Sequence, residues 1–304
     1  MTFANLRFTP GQRILILIVA LCVFTVFGSA IISMFMHDGL TTTSIRISTV
    51  IQDCVIFILP AIVSALLISP YPARFLGIDK VFDIRMLILA LMAMIVSIPA
   101  MNSLVAFNES LTLPDSLSGI ENLMRNAEEQ AQESVKILLG RHSIGSLIVN
   151  ILIVGVLAGL SEEIFFRGAL QRILLSGRMN VHLAIWLTAF IFSAFHLQFF
   201  GFLPRLLLGA YFGYLFYWSR SLWLAVIMHT FNNSIVVYSM WKANGVEVTS
   251  ENESINNLGV GSPVLIIASI ILSVVFLRQL YNVSRHYVFD EPDSGELPEE
   301  RKEG

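Results

Sequence analysis

Six of the ionisable or amide side chains that lie inside apolar stretches of the chain could carry out chemistry together. A charged side chain within a membrane helix costs about 2.5–3.5 kcal/mol on insertion scales, so such residues need a partner or a purpose. An acid and a histidine at one place can exchange protons with a substrate, and an amide can donate hydrogen bonds. The six residues are Glu162, Glu163, Arg167, His196, His229 and Asn233.

Helical spacing predicts different roles for the two adjacent acids, Glu162 and Glu163. Glu163 and Arg167 are four residues apart, so on a helix they share a face and can form an ion pair. Neighbouring residues on a helix diverge by about 100°, so the same arginine cannot readily serve Glu162. Glu162 is therefore the better candidate for a general base.

The spacing of the histidines predicts that all these groups lie at one depth. Glu163 precedes a turn near Met179 by sixteen residues and His196 follows that turn by seventeen, which places both about 25 Å from it. His229 and Asn233 follow a second turn by nine and thirteen residues, or about 14–20 Å. Antiparallel helices would bring these side chains into one layer.

Two kinds of chemistry fit such a layer, and the sequence leaves both open. Glu162, His196 and His229 could bind zinc, which accepts carboxylate and imidazole ligands. Without a metal, glutamate and histidine could activate a water while histidine and asparagine stabilise an oxyanion. The chain has no His-Glu-x-x-His zinc-protease motif, and Ser161 lacks the Gly-x-Ser-x-Gly setting of a nucleophile.

Composition predicts an all-α polytopic membrane protein that holds these residues in a polar cavity between its core helices. Hydrophobic residues make up 55% of the chain, and charged residues make up 13%, against about 25% in soluble domains. Eight apolar runs approach the length that crosses a bilayer. They cover residues 13–36, 46–69, 86–107, 144–175, 182–199, 203–219, 221–240 and 262–282.

Lys and Arg are concentrated in alternate connections, such as the one with Arg74, Lys80 and Arg85, which predicts that both termini are cytoplasmic. Asp53, in the second run, could support the site or line a water path, but a structural hydrogen bond is the expected role. We expect Asn150 to bond between helices.

The chain divides into four parts. These are N-terminal membrane helices with a polar extracytoplasmic insert at 108–143 (residues 1–143), a catalytic core (144–240), a loop and last helix (241–289), and an acidic disordered tail (290–304). Within the insert, helical periodicity predicts a surface helix over Ile120–Leu139.

Three motifs resemble those of the CPBP intramembrane proteases, which include type II CAAX prenyl endopeptidases and bacteriocin-self-immunity proteins. Glu-Glu-x-x-x-Arg ends at Arg167, Phe-x-x-x-His runs from Phe192 to His196, and His-x-x-x-Asn runs from His229 to Asn233. The resemblance covers residues 144–240. Each motif alone is weakly specific, but three in order, each inside an apolar run, form a specific pattern.

The resemblance implies a helical membrane enzyme with a conical, water-filled cavity that opens to the cytosol. It implies that Glu162 and His196 activate the water, that His229 and Asn233 stabilise the oxyanion, and that Glu163 and Arg167 support them. It leaves a metal-dependent and a glutamate-dependent mechanism open.

The leading hypothesis is an intramembrane endopeptidase acting on a membrane-associated protein or peptide, in contact with lipid and located in a bacterial cytoplasmic (inner) membrane. The alternatives are a non-catalytic scaffold, immunity or partner-binding protein, and a proton-coupled transporter, although no paired repeats are found. No basic patch indicates nucleic acid, and the oligomeric state is left open.

Overall fold

The chain is almost entirely helical. The computed structural model describes residues 8–37, 39–139, 143–177, 179–243 and 258–285. Helices account for 85% of the structure, and the described ranges contain no strand. The predicted all-α class is therefore confirmed. The acidic tail at 290–304 lies outside the described residues, and the four-part division of the chain stays a prediction.

Helix boundaries follow local capping chemistry. Thr9 and Thr41 each accept a hydrogen bond from a backbone N–H of the first turn, and Asn180 does the same before the eighth helix. The helices are α1 (Pro10–Phe35), α2 (Thr42–Ile68), α3 (Pro72–Leu76), α4 (Ile84–Val96), α5 (Ile98–Glu109), α6 (Ser118–Leu139), α7 (Ile144–Ser176), α8 (Val181–Phe195), α9 (Phe199–Ser219), α10 (Leu222–Lys242) and α11 (Pro263–Ser284).

Five of these helices, α1, α2, α7, α9 and α11, are long and apolar enough to cross a membrane. The pair α4 and α5, bent by 50° at their junction, forms a sixth candidate span. The predicted eight spans are therefore not confirmed. The prediction also counted α8, which has only 15 residues, and α10, whose apolar run is interrupted by His229, Asn232 and Asn233.

Helix α7 lies at the centre of the fold, with α2, α8, α9 and α10 packed against it. Its contact with α10 depends on two glycines one helical turn apart. A Cβ atom at Gly159 would lie 3.1 Å from the backbone nitrogen of Thr230, and one at Gly155 would lie 2.5 Å from Oγ of Ser234. Small residues at this spacing allow membrane helices to approach closely. The close approach brings His229 of α10 to the glutamates of α7.

Wide helical turns occur in the two helices that carry buried acids. Helix α2 is π-helical over Gln52–Ile58, and α7 is π-helical over Ile151–Leu157 and Ile164–Gln171. Such π-helical turns are rare and are frequent at functional sites. Arg167 lies within the last of them.

Two polar connections expected from the sequence are present. Asn150 accepts hydrogen bonds from Arg46 of α2 and donates one to the carbonyl of Leu138 in α6. Asn150 therefore bonds between helices, as predicted. Ser161 donates a 2.8 Å hydrogen bond to Oδ1 of the buried Asp53, which confirms the expected structural hydrogen bond of that acid.

The predicted surface helix in the insert is also present, as α6. Its last two residues, Leu138 and Leu139, are buried, while most of its length is partly or fully exposed. Glu121 accepts hydrogen bonds from Arg125 and from the backbone of Leu113, and these bonds lower the pKa of its carboxyl. The bond from Leu113 connects the first turn of α6 to the segment that precedes it.

Candidate active site

Glu163 is the centre of a buried hydrogen-bond network. Nη1 of Arg167 donates to its Oε1 at 2.7 Å, and Nδ1 of His229 lies 2.8 Å from the same oxygen. The side chains of Glu163 and Arg167 are both 0% exposed. The predicted pair between Glu163 and Arg167 is therefore present, and His229 is joined to it.

Arg167 also makes contacts with α9 and with Phe192, in addition to its pair with Glu163. Nη2 donates to the carbonyl oxygen of Gly209 at 2.8 Å, and the guanidinium lies 4.7 Å from the ring centroid of Phe192. Phe192 also meets the rings of His196 and His229 edge-on, with centroids 5.1 and 5.9 Å away. The phenylalanine of the Phe-x-x-x-His motif thus contacts an arginine and both histidines.

Glu162 has a different environment from its neighbour. Its Oε2 lies 3.6 Å from Nε2 of His229, too far for a hydrogen bond, and it has no other hydrogen-bond partner among the described residues. Its side chain is 14% exposed, whereas that of Glu163 is fully buried. Glu162 is the acid that borders open space.

His196 directly follows the end of α8. Its Nδ1 lies 2.9 Å from the carbonyl oxygen of Phe192. Because a carbonyl can only accept, Nδ1 must carry the proton in this contact. In the neutral ring, Nε2 then keeps its lone pair and can accept a proton.

Asn233 is held by the backbone of α7 and by its neighbour. Its Nδ2 donates to the carbonyl of Val154 at 3.2 Å, and its Oδ1 accepts from Asn232 at 3.3 Å. An amide nitrogen has a second N–H, so this arrangement leaves Asn233 one further donor.

Four of the six predicted site residues line one cavity of about 270 Å³. They are Glu162, His196, His229 and Asn233. Glu163 and Arg167 lie behind this cavity and not in its wall. The side chains that were predicted to lie at one depth therefore lie together in the structure. Of the two glutamates, Glu162 is the one in the cavity wall. That the cavity is water-filled and opens to the cytosol stays a prediction.

A larger cavity of about 900 Å³, here called the vestibule, adjoins the site. It is bordered by α6, by the carboxyl-terminal parts of α5 and α10, by Gln198 with the first turn of α9, and by Val260. The vestibule and the site cavity share Val105 and Gly201 in their linings. The vestibule therefore borders the site cavity on the side on which α6 lies.

Sequence reasoning gave no site role to several residues of the cavity wall, and three of them have polar or aromatic side chains. Arg205 lies inside α9 and Asn232 inside α10, and both line the cavity. The ring of Phe212 stacks on that of His229, with centroids 4.7 Å apart and an interplanar angle of 17°. The sequence feature that could have identified Arg205 is its position as a charged residue in the first turn of the apolar run 203–219.

The geometry does not establish the zinc site that the sequence left open. Among the described residues, no group of three or more His, Cys, Asp or Glu side chains is arranged to hold a metal ion. Nδ1 of His229 contacts Glu163 and Nδ1 of His196 contacts a carbonyl, so each ring has only its Nε2 left for a ligand. Zinc binding by Glu162, His196 and His229 stays an untested prediction.

Comparison with protein families gives a match over the core helices. Residues 144–235 match the family described as type II CAAX prenyl endopeptidase Rce1-like. The curated proteins and the solved structures give no significant match. The matched segment begins with α7, ends within α10 and contains all six site residues. Together with the apolar helices, the match identifies an integral membrane protein. The segment that holds the site is therefore a domain of the CPBP (CAAX) protease family, of the type II CAAX prenyl endopeptidase Rce1-like kind.

Proposed function

We propose that this protein is an intramembrane endopeptidase that hydrolyses a peptide bond of a membrane-associated protein or peptide. The observation that carries the proposal is the composition of one cavity wall. An acid without a hydrogen-bond partner on Oε2, a histidine with an available Nε2 and two further donors border the same space. These are the groups that hydrolysis by an activated water requires.

Glu162 is the proposed general base. A water in the cavity would donate one O–H to Glu162 and the other to Nε2 of His196. As the water oxygen bonds to the substrate carbonyl carbon, one proton passes to Glu162. When the C–N bond breaks, protonated Glu162 returns that proton to the leaving amine. General acid–base catalysis of this kind contributes about 10²–10⁴-fold.

His229 and Asn233 are the proposed oxyanion donors. Nδ1 of His229 is held by Glu163, so only its Nε2 faces the cavity. Donation to the oxyanion would come from Nε2, the ring nitrogen that does not contact Glu163. Asn233 would contribute its second N–H. One such donor contributes about 10²–10³-fold in turnover.

Glu163 and Arg167 are proposed as positioning residues. Their pair is fully buried, and it connects the ring of His229 to the backbone of α9 at Gly209. A donor that must meet a developing charge needs a fixed orientation before the reaction. Neither residue lines the cavity, so neither is placed in contact with substrate.

Cleavage by purified protein in lipid vesicles tests this proposal. Membrane-tethered peptides are incubated with the protein, and new peptide termini are identified by mass spectrometry. The wild type should cleave, and His196→Gln should lower turnover on the order of 10²-fold. A folded wild type that cleaves none of a broad peptide set would favour a non-catalytic partner-binding protein. A parallel reaction with chelator reports metal dependence.

A further inference from the structure

Arg205 is a second arginine of the site region, and its surroundings differ from those of Arg167. Arg167 is fully buried and paired with Glu163, which accounts for its charge. Arg205 is partly exposed and lines the same cavity as Glu162 and His196. A cation in an apolar helix needs a partner or a function.

The contacts of Arg205 are with neutral atoms. Its Nη2 donates to Oε1 of Gln198 at 2.9 Å, and its Nη1 donates to the backbone carbonyl of Gln198 at 3.4 Å. Among the described residues, no hydrogen bond or ion pair joins Arg205 to a carboxylate. Glu128 accepts a 3.4 Å hydrogen bond from the Gln198 amide, and Glu128 and Glu162 both attract the Arg205 charge at longer range.

These contacts leave part of the guanidinium unused. Two N–H groups are engaged, and a guanidinium carries more donors than that, arranged as a planar fork. The fork matches the two oxygens of a carboxylate, and such bidentate pairs are among the strongest hydrogen-bonded contacts. The cavity is the open space that Arg205 borders, so a ligand oxygen would approach from there.

Gly201 holds the guanidinium in its present place by leaving room for it. A Cβ atom at Gly201 would lie 2.8 Å from Nη2 and 3.5 Å from Cζ of Arg205. The backbone of Gly201 has φ −109°, which any residue adopts, so the need for glycine here is one of space. Gln198 and Gly201 together therefore seat Arg205 against the cavity wall.

We infer that Arg205 binds a carboxylate of the substrate inside the catalytic cavity, and this inference rests on the proposed peptidase function. The carboxylate belongs to a peptide and is either its C-terminal group or the side chain of an Asp or Glu near the scissile bond. Arg205 is thus a specificity-determining residue that lines the same cavity as the proposed general base Glu162.

Matched peptides separate the two sources of the carboxylate. One pair differs only in a free or amidated C-terminus, and a second pair carries Asp or Asn beside the cleaved bond. We expect wild type to prefer the carboxylate form in one of the two pairs. Arg205→Gln should lower kcat/KM for that form by roughly 30-fold or more, mainly through KM, because it leaves the carboxylate unpaired. The uncharged form should change by less than about 3-fold.

Two further variants keep the test informative if Arg205→Gln folds poorly. Arg205→Lys keeps the charge but loses the fork, so it should retain only part of the preference. Gly201→Ala keeps the arginine and displaces its guanidinium, and it should also weaken the preference. Gly145→Ala is the matched control, because a Cβ atom there meets nothing within 4 Å.

Peptide binding to the Glu162→Gln variant measures the same preference without turnover. If the wild type cleaves no peptide but peptide binding still depends on Arg205, the peptidase function is rejected and the carboxylate site is kept. If wild type, Arg205→Gln and Gly201→Ala all cleave with the same preference between carboxylate and uncharged peptides, the carboxylate site is overturned. The peptidase function would then still stand. A loss of cleavage that is equal for charged and uncharged peptides would also overturn the carboxylate site.

Discussion

Glu162 and Glu163 are chemically identical neighbours, and their partners give them different roles. Glu163 holds Arg167 and His229 through one buried oxygen, whereas Glu162 lines the site cavity and neither residue hydrogen-bonds to it among the described residues. A single arginine serves only one of two adjacent acids, as the helix geometry predicts. The pairing of Glu163 with His229 could not be predicted, because it depends on the rotation of α10 about its axis.

Removal of the Glu163 carboxylate should destabilise the protein. Glu163→Gln leaves the fully buried Arg167 without its counter-charge, a change that typically costs about 3–5 kcal/mol. Unfolding of the purified variant in detergent, followed by circular dichroism, measures the loss. Glu163→Gln/Arg167→Met removes both charges and should cost less than the single change. Equal losses in the two variants would show that the charge of Arg167 is not what Glu163 stabilises.

At the scale of helices, the site depends on how closely α10 approaches α7. Gly155 and Gly159 form the Gly-x-x-x-Gly spacing that permits close helix contact, and it can be read from the sequence. The π-helical turn at Ile164–Gln171 could not be predicted, because wide turns depend on tertiary packing and have no distinct residue pattern. The helices themselves follow from apolar runs and caps, but the number of spans does not.

Gly159→Ala should lower activity more than Gly155→Ala. At Gly159 the added methyl group meets the backbone nitrogen of Thr230, which cannot rotate away, so α10 must shift. At Gly155 the nearest atom is Oγ of Ser234, a side-chain atom that can rotate. Displacement of His229 should reduce kcat on the order of 10-fold for Gly159→Ala. An equal or larger effect of Gly155→Ala would argue against this packing.

At the scale of the whole molecule, two expectations about orientation conflict. The family resemblance implies a cavity that opens to the cytosol. In the structure, the site joins a vestibule bordered by α6, and the Lys and Arg distribution predicts that α6 lies outside the cytoplasm. The distribution of charge along this chain therefore favours a site that opens on the extracytoplasmic side.

Cysteine labelling in intact cells decides between these orientations. Cys22 and Cys54 are first replaced by Ala, and single cysteines are then placed at the exposed Glu129 of α6 or at Asp79. A membrane-impermeant maleimide should label Glu129→Cys in intact cells and Asp79→Cys only after permeabilisation. The reverse pattern would place the vestibule in the cytosol.

The central claim is that Glu162 activates the water that cleaves the substrate. The most direct measurement compares the turnover of a tethered peptide by wild type and Glu162→Gln, at equal amounts of folded protein in vesicles. Glu133→Gln, a change of the same kind on the exposed face of α6, is the matched control and should behave as wild type. We predict that Glu162→Gln lowers turnover by about 10²-fold or more. Turnover of Glu162→Gln within about 2-fold of wild type would contradict the assignment of the base.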